Sequence, residues 1–285
     1  MIDRIINTED IKDADTILFS VPYENGVSFM SGTSKAPKKI IDCLDNYLEL
    51  FDVDLLCEPA KLLKTAHEEI AGLEKFIPEE AMEKISSIYQ KFIDLKKFTI
   101  LLGGAHIVSF GALKAISQKG NPKDITILQI DAHQDLRDNN CDYDEKCEKF
   151  AHSCTMRRIH ELGFPIVQVG VRTYSKYEYN FEMENKKTIT VFPWAKNSKI
   201  PKIEAIRLPG TIMTEIIVRI LIISFNLKEI RDSLVELKAS MVSLCVLRIS
   251  QISLLRSNRL LKYKLIESGS KKVLCLSINF LMMVW

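Results

Sequence analysis

The chain has 285 residues, of which 47% are hydrophobic and 27% charged, values that fit a soluble globular protein with one large α/β domain or two small ones. No run reaches the ~20 apolar residues that a bilayer-spanning helix needs; Ile216–Phe225, interrupted by Arg219, and Val273–Trp285 read as buried strand or helix pieces. The formal charge of +2 hides an asymmetry, because residues 196–285 carry 15 Lys and Arg against 6 Asp and Glu, which leaves residues 1–195 net negative.

Thr16–Val21 reads as a first buried strand, ended by Pro22 and the Asn25-Gly26 turn signal. Pro37 suits the first turn of a helix running to about Leu50, with Ile40, Ile41, Leu44, Tyr47 and Leu48 at helical spacing. Phe51–Leu56 is expected as a short strand. Pro78 opens a helix to about Lys97, whose stripe of Met82, Ile85, Ile88, Phe92 and Leu95 reads as core packing. His67 and His160 are placed at the surface in helical, charged surroundings.

Phe98–Leu102 is then a strand, followed by Gly103-Gly104-Ala105-His106 and a helix over about Ile107–Gln118. Ile125–Ile130 is the next strand, so the three make a βαβ unit with parallel strands and a right-handed crossover. If those strands are neighbours, His106 and the residues after Ile130 leave the same edge of the sheet, where open α/β sheets bind ligands. A charged loop covers residues 138–151. Ser153 is expected to cap a helix to Leu162, and Pro165–Val171 is another buried strand. The alternation argues for a layered α/β/α fold with a mainly parallel sheet.

The centre of the pattern is Asp131-Ala132-His133-Gln134-Asp135 at the end of an apolar, β-branched run. On an extended backbone Asp131, His133 and Asp135 point the same way. Such groups at a buried strand end are costly unless paired, and a divalent cation removes that cost. The set mixes hard oxygen and borderline nitrogen ligands. Gln134, Arg137 and Asp138 are candidates to face a substrate.

LLGGAHIVSFGAL, ILQIDAHQDLRD, FAHSCTMRRIHELG and IVQVGVRTYSKYEY, with VPYENGVSFMSGTSKAPKKI near the start, resemble the ureohydrolases, and agmatinases most closely. The resemblance covers roughly residues 14–195. It implies the arginase-like α/β/α fold and a pair of Mn²⁺ ions, with His106 and Asp135 on one ion, His133 on the other and Asp131 bridging. It places His152 at the family's proton-handling histidine. The implied reaction is hydrolysis of agmatine to putrescine and urea, in polyamine synthesis. Arginine, guanidinobutyrate and formiminoglutamate are the alternative small guanidino substrates, and a non-catalytic metal-binding remnant is the rival reading. The family also implies a homo-oligomer.

The resemblance stops where the charge changes. The family's second acidic motif, Asp-x-Asp-x-x-Asp-Pro, is absent; after Ala195 the chain has one aspartate, Asp232, and no histidine. Residues 1–195 are therefore read as the ureohydrolase-like domain and 196–285 as a divergent basic tail. A reading-frame shift near residue 195 is favoured over a genuinely divergent relative. Four ligands would hold one ion and a second only loosely. The tail's basic residues are scattered among Ile and Leu, so neither nucleic acid nor membrane is expected as a partner. The seven cysteines are odd in number, form no CxxC and follow no signal peptide, so reduced thiols in the cytoplasm are expected.

Overall fold

Aliphatic runs along the first two-thirds of the chain build two parallel sheets. The structure, a computed structural model, describes residues 4–27, 31–52, 56–142 and 145–193 and the backbone of 275–277. In the first sheet β1 (Thr16–Val21) lies between β2 (Thr65–Glu69) and β3 (Phe98–Gly103). The second has the order β6 (Ile189–Pro193), β5 (Ile166–Val171), β4 (Ile127–Ile130), β7 (Cys275–Ser277). The helices are α1 (Ala36–Asn46), α2 (Pro78–Asp94), α3 (Val108–Lys119), α4 (Thr155–Glu161) and α5 (Lys176–Glu184).

β1 is buried at every position because both of its faces are covered. Ile17, Phe19 and Val21 pack in one cluster with Met82, Ile85 and Phe92 of α2 and Leu113 of α3. Leu18 points the other way, into a cluster with Leu44, Ile40 and Ile41 of α1. Helices thus cover both faces of this sheet, as the layered α/β reading requires. The Phe19 and Phe92 rings meet edge-on at 5.1 Å, the geometry that aromatic quadrupoles favour. The larger cluster continues through Ile127, Ile166 and Ile189 of the second sheet. Full burial of each such side chain stabilises by about 1.5–3 kcal/mol. Among the described residues, no helix is long and apolar enough to cross a membrane.

Several expectations need correction. β3 and β4 are not neighbours: β3 pairs with β1, and β4 pairs with β5 and β7. The helix between them, α3, is buried on all sides over Val108–Leu113 and packs against α2 and α4; among the described residues it joins two sheets that share no ladder. The helix begun at Ala36 stops at Asn46, since Tyr47 leaves helical geometry at φ −129°. Of the strand expected over Phe51–Leu56, residues 53–55 lie outside the described residues, and Asp52 makes an antiparallel bridge with Cys57. β2, α5 and β6 escape the sequence reading. β2 (TAHEE) lacks apolar alternation because its edge position buries mainly Thr65 and Ala66. Cys141 and Cys147 are joined as a disulfide, where a tight loop brings their Cα atoms to 4.1 Å, so the all-thiol expectation fails for that pair. The tail features Ile216–Phe225, Val273–Trp285 and Asp232 lie outside the described residues apart from the backbone of β7.

His67 is in a strand, not a helix, and is half-buried with its Nε2 2.8 Å from Ser20 Oγ. Burial pushes its imidazole below the usual value, against the opposing charges of Glu69, Asp45 and Glu68. The unfolded chain therefore takes up a proton on this ring at higher pH than the folded chain. That contribution to stability is present above pH ~6.5 and is lost as pH falls through the lowered folded value. We expect the denaturation midpoint of the native chain to fall more steeply from near neutrality to about pH 5 than that of His67→Gln, which keeps a polar partner for Ser20. Parallel pH profiles of the two midpoints would refute this.

Candidate metal centre

β4 stops at Ile130, but pairing with the chain after β5 continues through a parallel bridge between His133 and Thr173, with a bend at Ala132. Asp131 Oδ1 accepts the His133 N–H at 2.9 Å, which closes an Asx turn. Asp135 has φ 52°, a left-handed conformation that costs a non-glycine residue on the order of 1–3 kcal/mol. The side chains of Asp131, His133 and Asp135 converge, and a left-handed residue at the end of the segment sets the place of Asp135. The result is a buried contact of 2.7 Å between Asp135 Oδ2 and His106 Nδ1.

His106 reaches this point from the first sheet. Gly104 N–H donates to Val21 O at 3.2 Å and Ala105 N–H to Tyr23 O at 2.7 Å, binding the end of β3 to the chain leaving β1. A Cβ at Gly104 would run into the Tyr23 carbonyl oxygen, so this approach needs glycine. The close passage at Gly104 lets His106 come within reach of Asp135.

His106, Asp131 and Asp135 each offer a ligand atom, all within 4.8 Å of one another. His106 Nε2 is buried without a hydrogen-bond partner. Two carboxylates and an imidazole packed out of water, one ring nitrogen unsatisfied, form a donor set that suits a divalent cation. His133 lies outside this trio but adjoins it, with Nδ1 3.3 Å from Asp131 Oδ1. The hydrogen bond with Asp131 raises the His133 imidazole above its usual value, opposed by burial. Burial pushes the Asp131 carboxyl up, but the His133 hydrogen bond and the charge of His106 prevail and hold it below the usual range.

The other candidates have different partners. Gln134 is fully buried and donates to Glu182 Oε2 at 2.6 Å. Arg137 pairs with Asp142 and lies 3.7 Å from Glu178. The Arg158 hydrogen bond, 2.8 Å long, holds the Asp138 carboxyl below the usual range. Glu178 is buried, accepts the Leu136 N–H at 3.2 Å and closes a capping box with Ser175. Glu178 and Glu182 were missed with α5; the Ser-x-x-Glu spacing of Ser175 and Glu178 was the available signal. Ser153 does not cap α4. The Asp135 carbonyl does, accepting from Met156 N–H at 2.9 Å and Arg157 N–H at 3.1 Å.

His152 sits on the segment that follows the disulfide loop. Its Nδ1 lies 2.8 Å from Gly26 O, and its backbone N–H donates to the same oxygen at 3.0 Å. A carbonyl only accepts, so Nδ1 is the donor in this contact. Gly26 has φ 86°, and a Cβ there would stand 2.9 Å from Phe150 O.

The arginase family model matches residues 14–207. The N(1)-aminopropylagmatine ureohydrolase of Synechocystis is 29% identical over 194 residues, 65% of this chain and 58% of the relative. An agmatinase of Pyrococcus horikoshii is 29% identical over 187 residues, 64% of this chain and 60% of the relative. The chain thus spans about three-fifths of the length of these relatives. Among solved structures, the agmatine ureohydrolase of Thermoplasma volcanium superposes with TM-score 0.56 at 22% identity, covering 72% of this chain and 66% of that one. The proclavaminate amidino hydrolase of Streptomyces clavuligerus gives 0.55 at 18%, covering 67% and 63%. These likenesses show the fold.

Gly26→Ala is expected to destabilise the chain by about 1–3 kcal/mol, through the positive φ and the close approach of Phe150. Urea denaturation checks this, and an unchanged midpoint would mean that the Gly26–His152 connection is slack.

Proposed function

As the chain belongs to the arginase family, we propose that it hydrolyses a guanidino compound, agmatine first among them, to an amine and urea. The observation that carries this reading is the buried group of His106, Asp131 and Asp135 with His133 against Asp131. The choice of agmatine is supported by relatives named as agmatinases and aminopropylagmatine ureohydrolases. On this reading putrescine is the amine product, which would place the chain in polyamine synthesis, as a homo-oligomer in the cytoplasm.

The metal assignment is part of the proposal. His106 and Asp135 would hold one Mn²⁺, His133 another, and Asp131 would lie between them. When bound, such ions supply the Lewis acidity that makes a hydroxide available from water at neutral pH. In the hydrolysis, water adds at the guanidinium carbon, the bond to the alkyl nitrogen breaks, and that nitrogen leaves with a proton. His152 is proposed as the group that handles this proton at Nε2, since its Nδ1 is fixed by Gly26 O. The buried surroundings of His106 and Asp135 exclude water from one side of the trio. They also strengthen every electrostatic interaction within it.

Residues 1–195 are proposed as the catalytic domain and 196–285 as a divergent tail. The second reading, an inactive metal-binding remnant, is favoured by the sequence after Ala195, which offers one aspartate and no histidine. With two carboxylates and two imidazoles, a single ion is held better than two.

The deciding assay is urea release by the full chain with added Mn²⁺ and agmatine, with arginine alongside. Urea from agmatine alone supports the proposed function, and urea from arginine instead corrects the substrate. No urea from either, with Mn²⁺ retained, supports the remnant reading. Asp131→Asn is expected to weaken Mn²⁺ binding by more than about 100-fold, a larger loss than second-sphere changes produce; equal affinity would sink the ligand assignment.

A further inference from the structure

Gln129 on β4 and Gln168 on β5 stand directly opposite each other in the ladder, and both are buried. A fully buried parallel pair is ordinarily aliphatic, as the neighbouring pairs Leu128–Val167 and Ile130–Val169 are. Amides in that place are costly unless they bond. Gln168 Nε2 donates to Gln129 Oε1 and, at 2.7 Å, to the carbonyl of Gln134. Gln129 Nε2 donates to the carbonyl of His133 at 3.3 Å. Two consecutive peptide carbonyls of the metal loop are thus held from beneath by a pair of side-chain amides.

The orientation of both amides follows from their partners. The carbonyls of His133 and Gln134 can only accept, so Nε2 of each glutamine must face them. Gln168 Oε1 is then left buried without a partner, as is Gln134 Oε1. An aliphatic pair would leave the His133 and Gln134 carbonyls without these donors, so the amides serve the loop above them rather than the ladder itself. What they hold is the residue pair just before Asp135, whose backbone has φ 52°. Beyond it, the Asp135 carbonyl is gripped by Met156 N–H and Arg157 N–H at the start of α4. The strained residue is therefore fixed from both sides.

We infer that Gln129 and Gln168 are positioning residues for the metal loop. They keep Asp135 in its left-handed conformation so that its carboxylate meets His106 and Asp131. The metal part of this inference rests on the function proposed above; the conformational part does not.

The test compares Gln168→Met and Gln129→Met/Gln168→Met with the native full chain. The double substitution removes both amides together, leaving an apolar pair of similar shape, and guards against a single variant that fails to fold. The first readout, on the metal-free chain, is backbone hydrogen exchange followed by mass spectrometry. Faster exchange is expected in the peptide spanning residues 131–137, with exchange in residues 98–103 of β3 unchanged. The second is affinity for Mn²⁺ alone, from the electron paramagnetic resonance signal of the free ion, expected to weaken about 10–100-fold, the range of second-sphere partners. The third is the denaturation midpoint, expected to fall modestly in the double variant, because the His133 and Gln134 carbonyls lose their donors.

Unchanged exchange over 131–137 would overturn the inference, and so would equal acceleration there and in β3, which signals general loosening. If the native chain binds no Mn²⁺, the proposed metal centre fails while the exchange readout still decides the positioning role. If Mn²⁺ binds equally well to all three chains, the metal part of the inference fails.

Discussion

The 2.7 Å contact between His106 Nδ1 and Asp135 Oδ2 joins two sheets that, among the described residues, share no backbone ladder. One partner follows β3 of the first sheet and the other follows β4 of the second. The contact is sealed from water, where an unmatched charge or imidazole would be costly. Everything around it serves to bring the two groups within reach. On one side, Gly104 permits the close passage of Tyr23. On the other, Asp135 adopts a backbone conformation it would not choose alone.

That conformation is maintained by a layered set of bonds. The Asx turn at Asp131 starts it, the first N–H groups of α4 hold its far carbonyl, and α5 contributes Glu178 and Glu182. The arrangement is economical in one respect: the Asp135 carbonyl also satisfies helix N–H groups that no side chain caps. The strain at Asp135 and the stability of α4 are therefore linked, so a change at one end is felt at the other. The opening loop enters the same system through Gly26, whose carbonyl accepts from Nδ1 of His152.

Much of the framework was legible because it follows from local patterns. β1, β3, β5 and the α2 stripe stand where apolar runs and helical spacing put them. The residues that missed were those whose structure depends on distant partners. β2 carries His67 and two glutamates and pairs only because β1 lies beside it. α5 has an aromatic, charged sequence with no clean stripe, and its capping box was the one local sign of it. Whether β3 and β4 are neighbours was not legible, because a βαβ sequence does not reveal whether another strand stands between or beside its ends; β3 pairs with β1, and β4 with β5 and β7.

The sequence by itself determined the chemical identity of the site. The types and spacing of His106, Asp131, His133 and Asp135 narrow the chemistry to hard oxygen and imidazole donors, and their motifs carry the family likeness. It also determined the α/β class, through alternating apolar runs and helical stripes. Only the tertiary structure decided how the donors meet. The period-two spacing brings Asp131, His133 and Asp135 near one another, but a left-handed residue at Asp135, the side-chain amides beneath the loop and an imidazole from another sheet set their positions. The physical reason is range: residue type and periodicity act over a few neighbours, whereas the bonds that stabilise a strained turn come from β5, α4 and α5, far along the chain.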